Sequence, residues 1–387
     1  MKLAFLDPLL HTPGPWASVY AGTARAAEDA AARQALDARA ACDRLAAQGA
    51  DEDTCRAVHT ELVAPAAGPS GRAVFAAGGE VRLVVPLADP PVQPESCWTP
   101  LPHTGPLLDY ATAGPACLVA YVDRVGADLE LRDIGGRHPL RPVEGRDRPV
   151  HRTASADWPE RQFRRGVEDT WEANAARTAE EVAATAERTG VELVVLAGDD
   201  RERRAVRDRL PQHVRGRTVE SGHGGRASGT AAGDRLLDAE IETRRAEMSH
   251  AHVEAVLERF RAGRIPTEGR IDAAEGVPAL VDAACEHRID ALLVRSGGRE
   301  LYRDVWVGPE PDQLALRRGD SPYLGAPRPW SARADDALMR AAAASDADVI
   351  PLPGPDDRGA VPVGGLGALL RWPYEGGIPT GGLASGT

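Results

Sequence analysis

From Thr23 to Ala47 the chain is almost free of helix breakers, and Ala26, Ala30, Ala31, Leu36, Ala40 and Leu45 fall on overlapping helical faces. Gln48-Gly49-Ala50 ends this helix, and Asp51 or Asp53 can cap a second one running through Leu62, so the pattern predicts an antiparallel helical hairpin. Ala64-Pro65 and Gly68-Pro69-Ser70-Gly71 read as a loop. Two β-rich runs around Gly78-Gly79, the second ending at Pro86, then predict a β-hairpin. Pro90, Pro91 and Pro94 keep the next stretch extended rather than helical.

A new alternation of elements starts near Pro115. Cys117 to Ile134 reads as two strands joined near Gly126. Gly136 to Pro159 is rich in Pro and Arg and has no sustained periodicity. It reads as a loop of about 24 residues, beyond the usual limit of about 12–15, and ordered loops of that length tend to be functional. The pattern next predicts a helix over 160–189 closed by Gly190, a buried strand over 191–198, a helix from Asp199 to Leu210 and a short strand from Arg217 to Glu220. Further on it predicts helices from Ile241 to Phe260, Val277 to Glu286 and Asp335 to Ala344. Strands are predicted at Ile289 to Arg295 and Ala347 to Leu352, with a closing glycine-rich segment from Val363 to Tyr374. Strands alternating with helices argue for α/β layers. The expected class is therefore multidomain, mixed α+β and α/β. An N-terminal domain of helical hairpin plus β-hairpin spans 1–113, a middle domain with an Arg-rich loop at 136–165 spans 114–240, an α/β/α domain spans 241–374, and 375–387 form a flexible tail.

Composition narrows the classes. A hydrophobic fraction of 43% supports real cores. There are 58 acids against 46 bases, giving a formal net charge of −12, and nearly all the bases are arginine, with Lys2 the one lysine. This arginine and alanine bias fits a GC-rich coding sequence and says little about function. No run approaches the roughly 18 apolar residues of a membrane span. The opening from Met1 to Pro15 has one base and a short apolar stretch broken by Asp7 and Pro8, unlike a secretory signal. The expectation is a cytoplasmic protein with no membrane and no DNA partner. Cys42, Cys55, Cys97, Cys117 and Cys285 are scattered, with no CxxC pair, so neither a zinc site nor a disulfide framework is indicated, and buried free thiols are expected.

The segment from Gly136 to Arg165 is locally basic, with eight arginines against the four acids Glu144, Asp147, Asp157 and Glu160. Arg137, Arg141, Arg146, Arg148, Arg152, Arg161, Arg164 and Arg165 suit phosphate oxygens, and His151 and Trp158 can stack on exposed bases. The alternative is a solvated loop in an arginine-biased chain, and these residues alone leave the choice open. A second basic run, Arg201 to Arg217, has seven arginines interleaved with Glu202 and Asp208 and reads as the solvated face of an amphipathic helix. His250 and His252 are two apart on a predicted helix and cannot chelate as an i, i+4 pair would. Asp199-Asp200 reads as a helix cap. There is no G-x-S-x-G, Walker or G-x-G-x-x-G fingerprint, so no cofactor is expected.

The stretch from Asp346 to Tyr374, with Gly364-Gly-Leu-Gly-Ala-Leu-Leu-Arg-Trp at its end, resembles the close of archaeal and eukaryotic class-I release factors and Pelota. Gly276 to Val281 with Ile289 to Val294 is similar to the opening of that family's third domain. Val191 to Asp200 and Val219 to Gly225 are similar to strands of its second, and Phe75 to Pro86 with Ser96 to His103 to the close of its first. The chain looks closest to the bacterial branch that includes Balon-type ribosome-hibernation proteins. The resemblance implies an RNase H-like middle domain. It places the Arg-rich loop near the peptidyl-transferase centre and the 47–55 hairpin tip near the decoding centre of a 70S ribosome, in contact with ribosomal RNA. It also suggests an elongation-factor-type GTPase as a partner.

The departures from the family matter more for activity. The Gly-Gly-Gln loop that assists hydrolysis of peptidyl-tRNA is missing: its position falls in Ser155 to Arg165, where Trp158-Pro159 and Gln162 stand. Gly224-Gly225-Arg226 lies at a later strand end and reads as a turn. The Asn-Ile-Lys-Ser stop-codon motif is absent from the hairpin tip. The reading is a non-catalytic factor occupying the A site of idle ribosomes, without metal. One alternative is a peptidyl-tRNA hydrolase or rescue factor using Gln162 as the catalytic glutamine, and another is a small-ligand-binding α/β stress protein.

Overall fold

In a computed structural model of the chain, the described residues are 3–23, 30–65, 70–87, 89–110, 114–145, 160–226, 231–267, 270–326, 328–354 and 361–375. They form two compact units, one of Met1–Thr112 together with Ala251–Thr387 and the other of Ala113–His250. The architecture is mixed α and β throughout, as the patterns predict.

The first unit begins with a short helix α1 (Asp7–Leu10) and strand β1 (Trp16–Gly22), then helices α2 (Ala30–Ala47) and α3 (Glu52–Val63). Strands β2 (Gly71–Ala77), β3 (Glu80–Leu87) and β4 (Glu95–Thr99) and a one-turn helix α4 (Leu107–Tyr110) follow. The four strands make an antiparallel sheet in the order β3-β2-β1-β4. The periodicity predicts both hairpins but not β1, which is a central strand buried at Trp16 through Tyr20. Ala17, Val19, Val74 and Ala76 of the sheet pack with Ala38, Ala41, Leu45, Val58 and Leu62 of the two helices. The β2–β3 turn has Gly78 at φ +60° and Gly79 at φ +80°, two successive left-handed positions that favour glycine.

Of the two candidate caps for the second helix, the structure uses Asp51, whose Oδ1 accepts the Thr54 N–H at 2.8 Å. The buried Thr54 hydroxyl donates to Asp51 Oδ2 at 2.8 Å and accepts the Gly79 N–H at 2.9 Å, so the cap also ties the helix to the β-turn. The hydrogen bonds from the Thr54 N–H and hydroxyl hold Asp51 below its ordinary carboxylate range. The stability this contributes is present at neutral pH and is lost as pH falls through that lowered range. Asp51→Ala is expected to cost about 1–2 kcal/mol, read as a lowered urea midpoint at unchanged slope.

The second unit contains β5 (Cys117–Val122), β6 (Gly126–Asp133), β7 (Gly136–Pro139), β8 (Val143–Glu144), α5 (Glu160–Thr189) and β9 (Leu193–Ala197). It continues with α6 (Asp200–Arg207), α7 (Gln212–Arg215), β10 (Thr218–Ser221) and, up to His250, the long helix α8 (Ala231–Gly263), which begins ten residues before the periodicity predicts and whose remainder belongs to the first unit. The sheet runs β10-β9-β5-β6-β7, with β8 pairing on β6. Strands β5, β6 and β7 form an antiparallel meander, and β9 and β10 extend it in parallel on the side of β5. This is the RNase H-like order of third, second, first, fourth, fifth strand. Both faces are covered. Leu118, Ala120, Val194 and Leu196 pack with Val182, Ala186, Val206 and Val214, while Val119, Val195 and Ala197 pack with Leu237 and Ile241 of α8. Burial on both faces is why β5 and β9 read as nearly unbroken apolar runs.

The rest of the first unit contains β11 (Arg270–Glu275), α9 (Val277–Cys285), β12 (Ile289–Arg295), β13 (Asp304–Val307), β14 (Leu314–Ala315), β15 (Trp330–Arg333), α10 (Ala334–Ala344), β16 (Asp348–Leu352) and β17 (Leu366–Glu375). The sheet order is β11-β17-β12-β16, with β12 parallel to β16 and β17 antiparallel to both its neighbours. Val253, Val256 and Phe260 pack with Ala291, Leu293, Ile350 and Leu369. The alternate residues Leu292 and Val294 are also fully buried, so this sheet too is covered on both faces. Strands β13, β14 and β15 form a small separate antiparallel sheet within sequence that reads only as turns.

Three expectations need correction. The aperiodic stretch after Gly136 is not all loop, because β7 and β8 are short edge pairings of two to four residues, too brief to show a period. Asp199 stands at the N-cap of α6 but makes no side-chain capping bond, while Asp200 pairs with Arg203 and Arg204. All five cysteines are free, yet only Cys117 is buried and the other four are half-buried. The segment 376–387 of the expected tail lies outside the described residues, whereas Glu375 ends β17. Among the described residues no helix is long and apolar enough to cross a membrane.

Candidate nucleic-acid interface

The residues expected to contact RNA fall into three groups. Arg137 and Arg141 are described and exposed. Arg146, Arg148, His151, Arg152 and Trp158 lie outside the described residues. Arg161, Arg164 and Arg165 belong to the first turns of α5, as does Gln162, the candidate catalytic glutamine of the hydrolase alternative. The positions of Arg161, Arg164 and Arg165 are spaced i, i+3, i+4 and share one side of that helix.

Arg137 is held rather than free. It pairs with Asp238 at 2.8 Å, and Asp238 also accepts from Arg132 at 2.8 Å. Arg132 is buried and bonds Glu130 at 2.6 Å and the Tyr121 hydroxyl at 2.9 Å. Partial burial pushes the Asp238 carboxyl up, but the hydrogen bonds from Arg137 and Arg132 outweigh it and hold the group below its ordinary range. Arg141, by contrast, is exposed, and among the described residues it makes no hydrogen bond or ion pair.

Two turns beyond Arg164, on the same side of α5, stands Trp171. The guanidinium carbon of Arg124, from the β5–β6 turn, lies 4.7 Å from its ring centroid, and that of Arg201, from α6, lies 5.3 Å away. The turn is shaped locally: Asp123 Oδ1 accepts the N–H groups of Val125 and Gly126 at 2.7 and 2.8 Å, and the buried Asn174 donates to the Arg124 carbonyl at 2.9 Å. Asp123, Arg124, Trp171 and Arg201 line a cleft of about 350 Å³ together with Glu172, Glu202 and Arg209. Arg124 bonds Glu202 at 3.0 Å, and Arg209 approaches Glu172 at 3.7 Å. Three arginines thus face three acids, and the cleft is closer to a stacking platform than to a basic funnel. An aromatic ring with guanidinium groups on it can stack a base and offer donors to its phosphate. In the sequence this cleft shows as a tryptophan set among the polar residues Asp169, Thr170, Glu172 and Asn174 of α5.

The second basic run is used mainly inside the fold. Arg203 donates to the carbonyls of Gly198 and Ser221, Arg215 to those of Asp208 and Leu210, and Arg217 to that of Val191. Solvation alone is therefore not what these arginines serve. At Gly224-Gly225-Arg226 the turn reading fits. Gly224 has φ +75°, a Cβ there would meet Leu237 Cδ2 at 2.7 Å, and Arg226 bonds Asp128 and Asp123.

The segment that carries both the Arg-rich stretch and the Trp171 cleft, residues 116–265, matches the model of bacterial archaeo-eukaryotic release factor family 2. Over its length the chain is similar to the uncharacterized protein Rv2629 of Mycobacterium tuberculosis H37Rv, at 29% identity over 379 residues, 96% of this chain and 97% of that one. MT2704 of Mycobacterium tuberculosis CDC 1551 / Oshkosh matches with the same values. Among solved structures, archaeal translation termination factor aRF1 matches at 15% identity over 95% of each chain with a TM-score of 0.26. A ribosome-bound archaeal Pelota matches at 17% identity over 97% of this chain and 96% of its own, with a TM-score of 0.38.

Proposed function

We propose that this protein is a cytoplasmic ribosome-binding factor that occupies the A site of idle 70S ribosomes without hydrolysing peptidyl-tRNA. The observation that carries the reading is the release-factor family match over 116–265, in a segment whose residues before and into α5, Ser155 to Arg165, lack Gly-Gly-Gln. A release-factor-like body without the hydrolytic glycines retains binding and loses turnover. Arg137, Arg141, Arg146, Arg148, His151, Arg152, Trp158, Arg161, Arg164 and Arg165 would meet ribosomal RNA near the peptidyl-transferase centre, with the Trp171 cleft as an adjoining stacking site. The helical hairpin tip around Asp51 would approach the decoding centre. An elongation-factor-type GTPase would bind through residues 241–374, the C-terminal domain of the three-domain division.

The test is co-sedimentation of the purified protein with vacant 70S ribosomes on sucrose gradients at two salt concentrations. Salt-sensitive migration with the 70S particle is expected, with no release of labelled peptide from peptidyl-tRNA. A protein that stays at the top of both gradients would reject direct ribosome binding. Peptide release that disappears in Gln162→Ala would put the hydrolase in its place.

A further inference from the structure

We propose that Glu95, Cys97 and His103 form a binding site for one zinc-class divalent cation, with Asp336 holding the histidine in its ligating tautomer. Strand β4 puts residues 95 and 97 on one side of the sheet, because strand side chains alternate with a period of two. The chain then brings back His103, whose backbone is fixed by β1: its N–H donates to Ser18 Oγ at 2.9 Å, and its carbonyl accepts the Tyr20 hydroxyl at 2.6 Å.

The three potential ligand atoms lie within 4.8 Å of one another. His103 Nε2 is 3.3 Å from Glu95 Oε1, and Cys97 Sγ is 3.5 Å from the same oxygen. A tetrahedral zinc ion with bonds of about 2.0–2.2 Å to N and O and about 2.3 Å to S has ligand-to-ligand edges of roughly 3.3–3.7 Å. The two shortest separations already have that size.

The imidazole is oriented as a ligand. Its Nδ1 lies 2.8 Å from Asp336 Oδ2, while Asp336 Oδ1 accepts the N–H groups of Thr104 at 2.8 Å and Gly105 at 3.1 Å. An ionised carboxylate only accepts, so the Nδ1 proton points to Asp336 and Nε2 faces the carboxylate and the sulfur. With Nε2 3.3 Å from an anionic oxygen, a positive charge belongs there: a proton on Nε2 in the metal-free protein, or a metal ion that takes its place. A proton would need His103 and Glu95 alone; a thiol at ligand distance from the same oxygen suits a metal that accepts sulfur. A carboxylate on the far nitrogen is the usual partner of a ligating histidine. One thiolate and one carboxylate also neutralise a divalent charge, which favours the ion in a partly buried site. Binding releases the Cys97 thiol proton and any proton on Nε2. Three protein ligands leave a fourth position, which water can reach because the Glu95 side chain is 44% exposed.

The full-length protein, stripped of metal with a chelator, is titrated with Co²⁺ as a spectroscopic probe and with Zn²⁺ in competition with a chromophoric chelator. One equivalent is expected to bind, with a thiolate-to-cobalt charge-transfer band that Zn²⁺ abolishes. Cys97→Ser should remove the band and weaken Zn²⁺ binding on the order of 100-fold, and Glu95→Gln should weaken it about tenfold while keeping the band. Both variants replace partly exposed groups by near-isosteres, and circular dichroism checks that they fold. Cys42→Ser should bind as wild type. Undiminished binding in Cys97→Ser, or no saturable binding to the wild type, would overturn the site and leave His103 as a protonated bridge between Glu95 and Asp336.

Discussion

Asp336→Ala is expected to destabilise the unit formed by residues 1–112 and 251–387 by about 3–5 kcal/mol, the range for removing one member of a buried, hydrogen-bonded charge network. The side chains of Asp336 and His103 are each 4% exposed, so water cannot replace the missing acceptor. The Thr104 and Gly105 N–H groups and His103 Nδ1 are all left without their partner in one step. Asp336→Asn should cost less, because its amide oxygen can still accept the two backbone N–H groups. Urea unfolding followed by circular dichroism measures both. Equal midpoints for the alanine variant and the wild type would show that the network contributes nothing net.

Reversing three charges, Arg141→Glu, Arg148→Glu and Arg152→Glu together, is expected to weaken binding to vacant 70S ribosomes on the order of 100-fold or more. The slope of log affinity against log salt should become shallower, by roughly 0.7–0.9 for each phosphate that the protein no longer neutralises. Arg141 is suited to this test because it is exposed and, among the described residues, makes no hydrogen bond or ion pair. Arg137 is less suited, since it is tied to Asp238. Arg204→Glu on α6 serves as a control: that arginine is exposed and pairs with Asp200, within a run used mainly for internal bonding. If the triple variant sediments with ribosomes as wild type does, with unchanged salt dependence, the basic stretch is a solvated loop and the RNA interface lies elsewhere. A net charge of −12 makes this outcome informative, since binding to RNA must then come from a local concentration of positive charge.

The parts of this structure that sequence made legible are those set by local chemistry. The α2–α3 hairpin follows from a breaker-free alanine-rich run, a glycine and an aspartate cap. The β2–β3 turn follows from two adjacent glycines, and α5 and β9 from length and unbroken apolar character. What escaped depends on distant partners. Strand β1 lies between β2 and β4 and is buried from Trp16 through Tyr20, so it shows no period-two alternation even though Pro13-Gly14-Pro15 marks its start. Strands β7 and β8 exist because β6 offers them an edge. Arg132 meets Asp238, and Glu95 and His103 meet at a position fixed by β1 and Asp336. Trp171 gains its meaning only when the turn at Arg124 and the start of α6 converge on it. Charged pairs separated by a hundred residues or more carry no periodic signature, so no window along the chain can find them.

The unit built from both ends of the chain also sets an order of events during synthesis. His103 and Asp336 are 233 residues apart, and at about 5–20 residues per second the second emerges well over ten seconds after the first. All of Ala113–His250 is contiguous and is made in that interval. Its sheet and both helical layers can close while the β1–β4 segment still waits for its C-terminal partner. A nascent chain stalled before α10 should therefore protect Cys117 on β5 from thiol-reactive label while leaving Cys97 open to it. In the full-length protein Cys97 should become less reactive while Cys117 is unchanged.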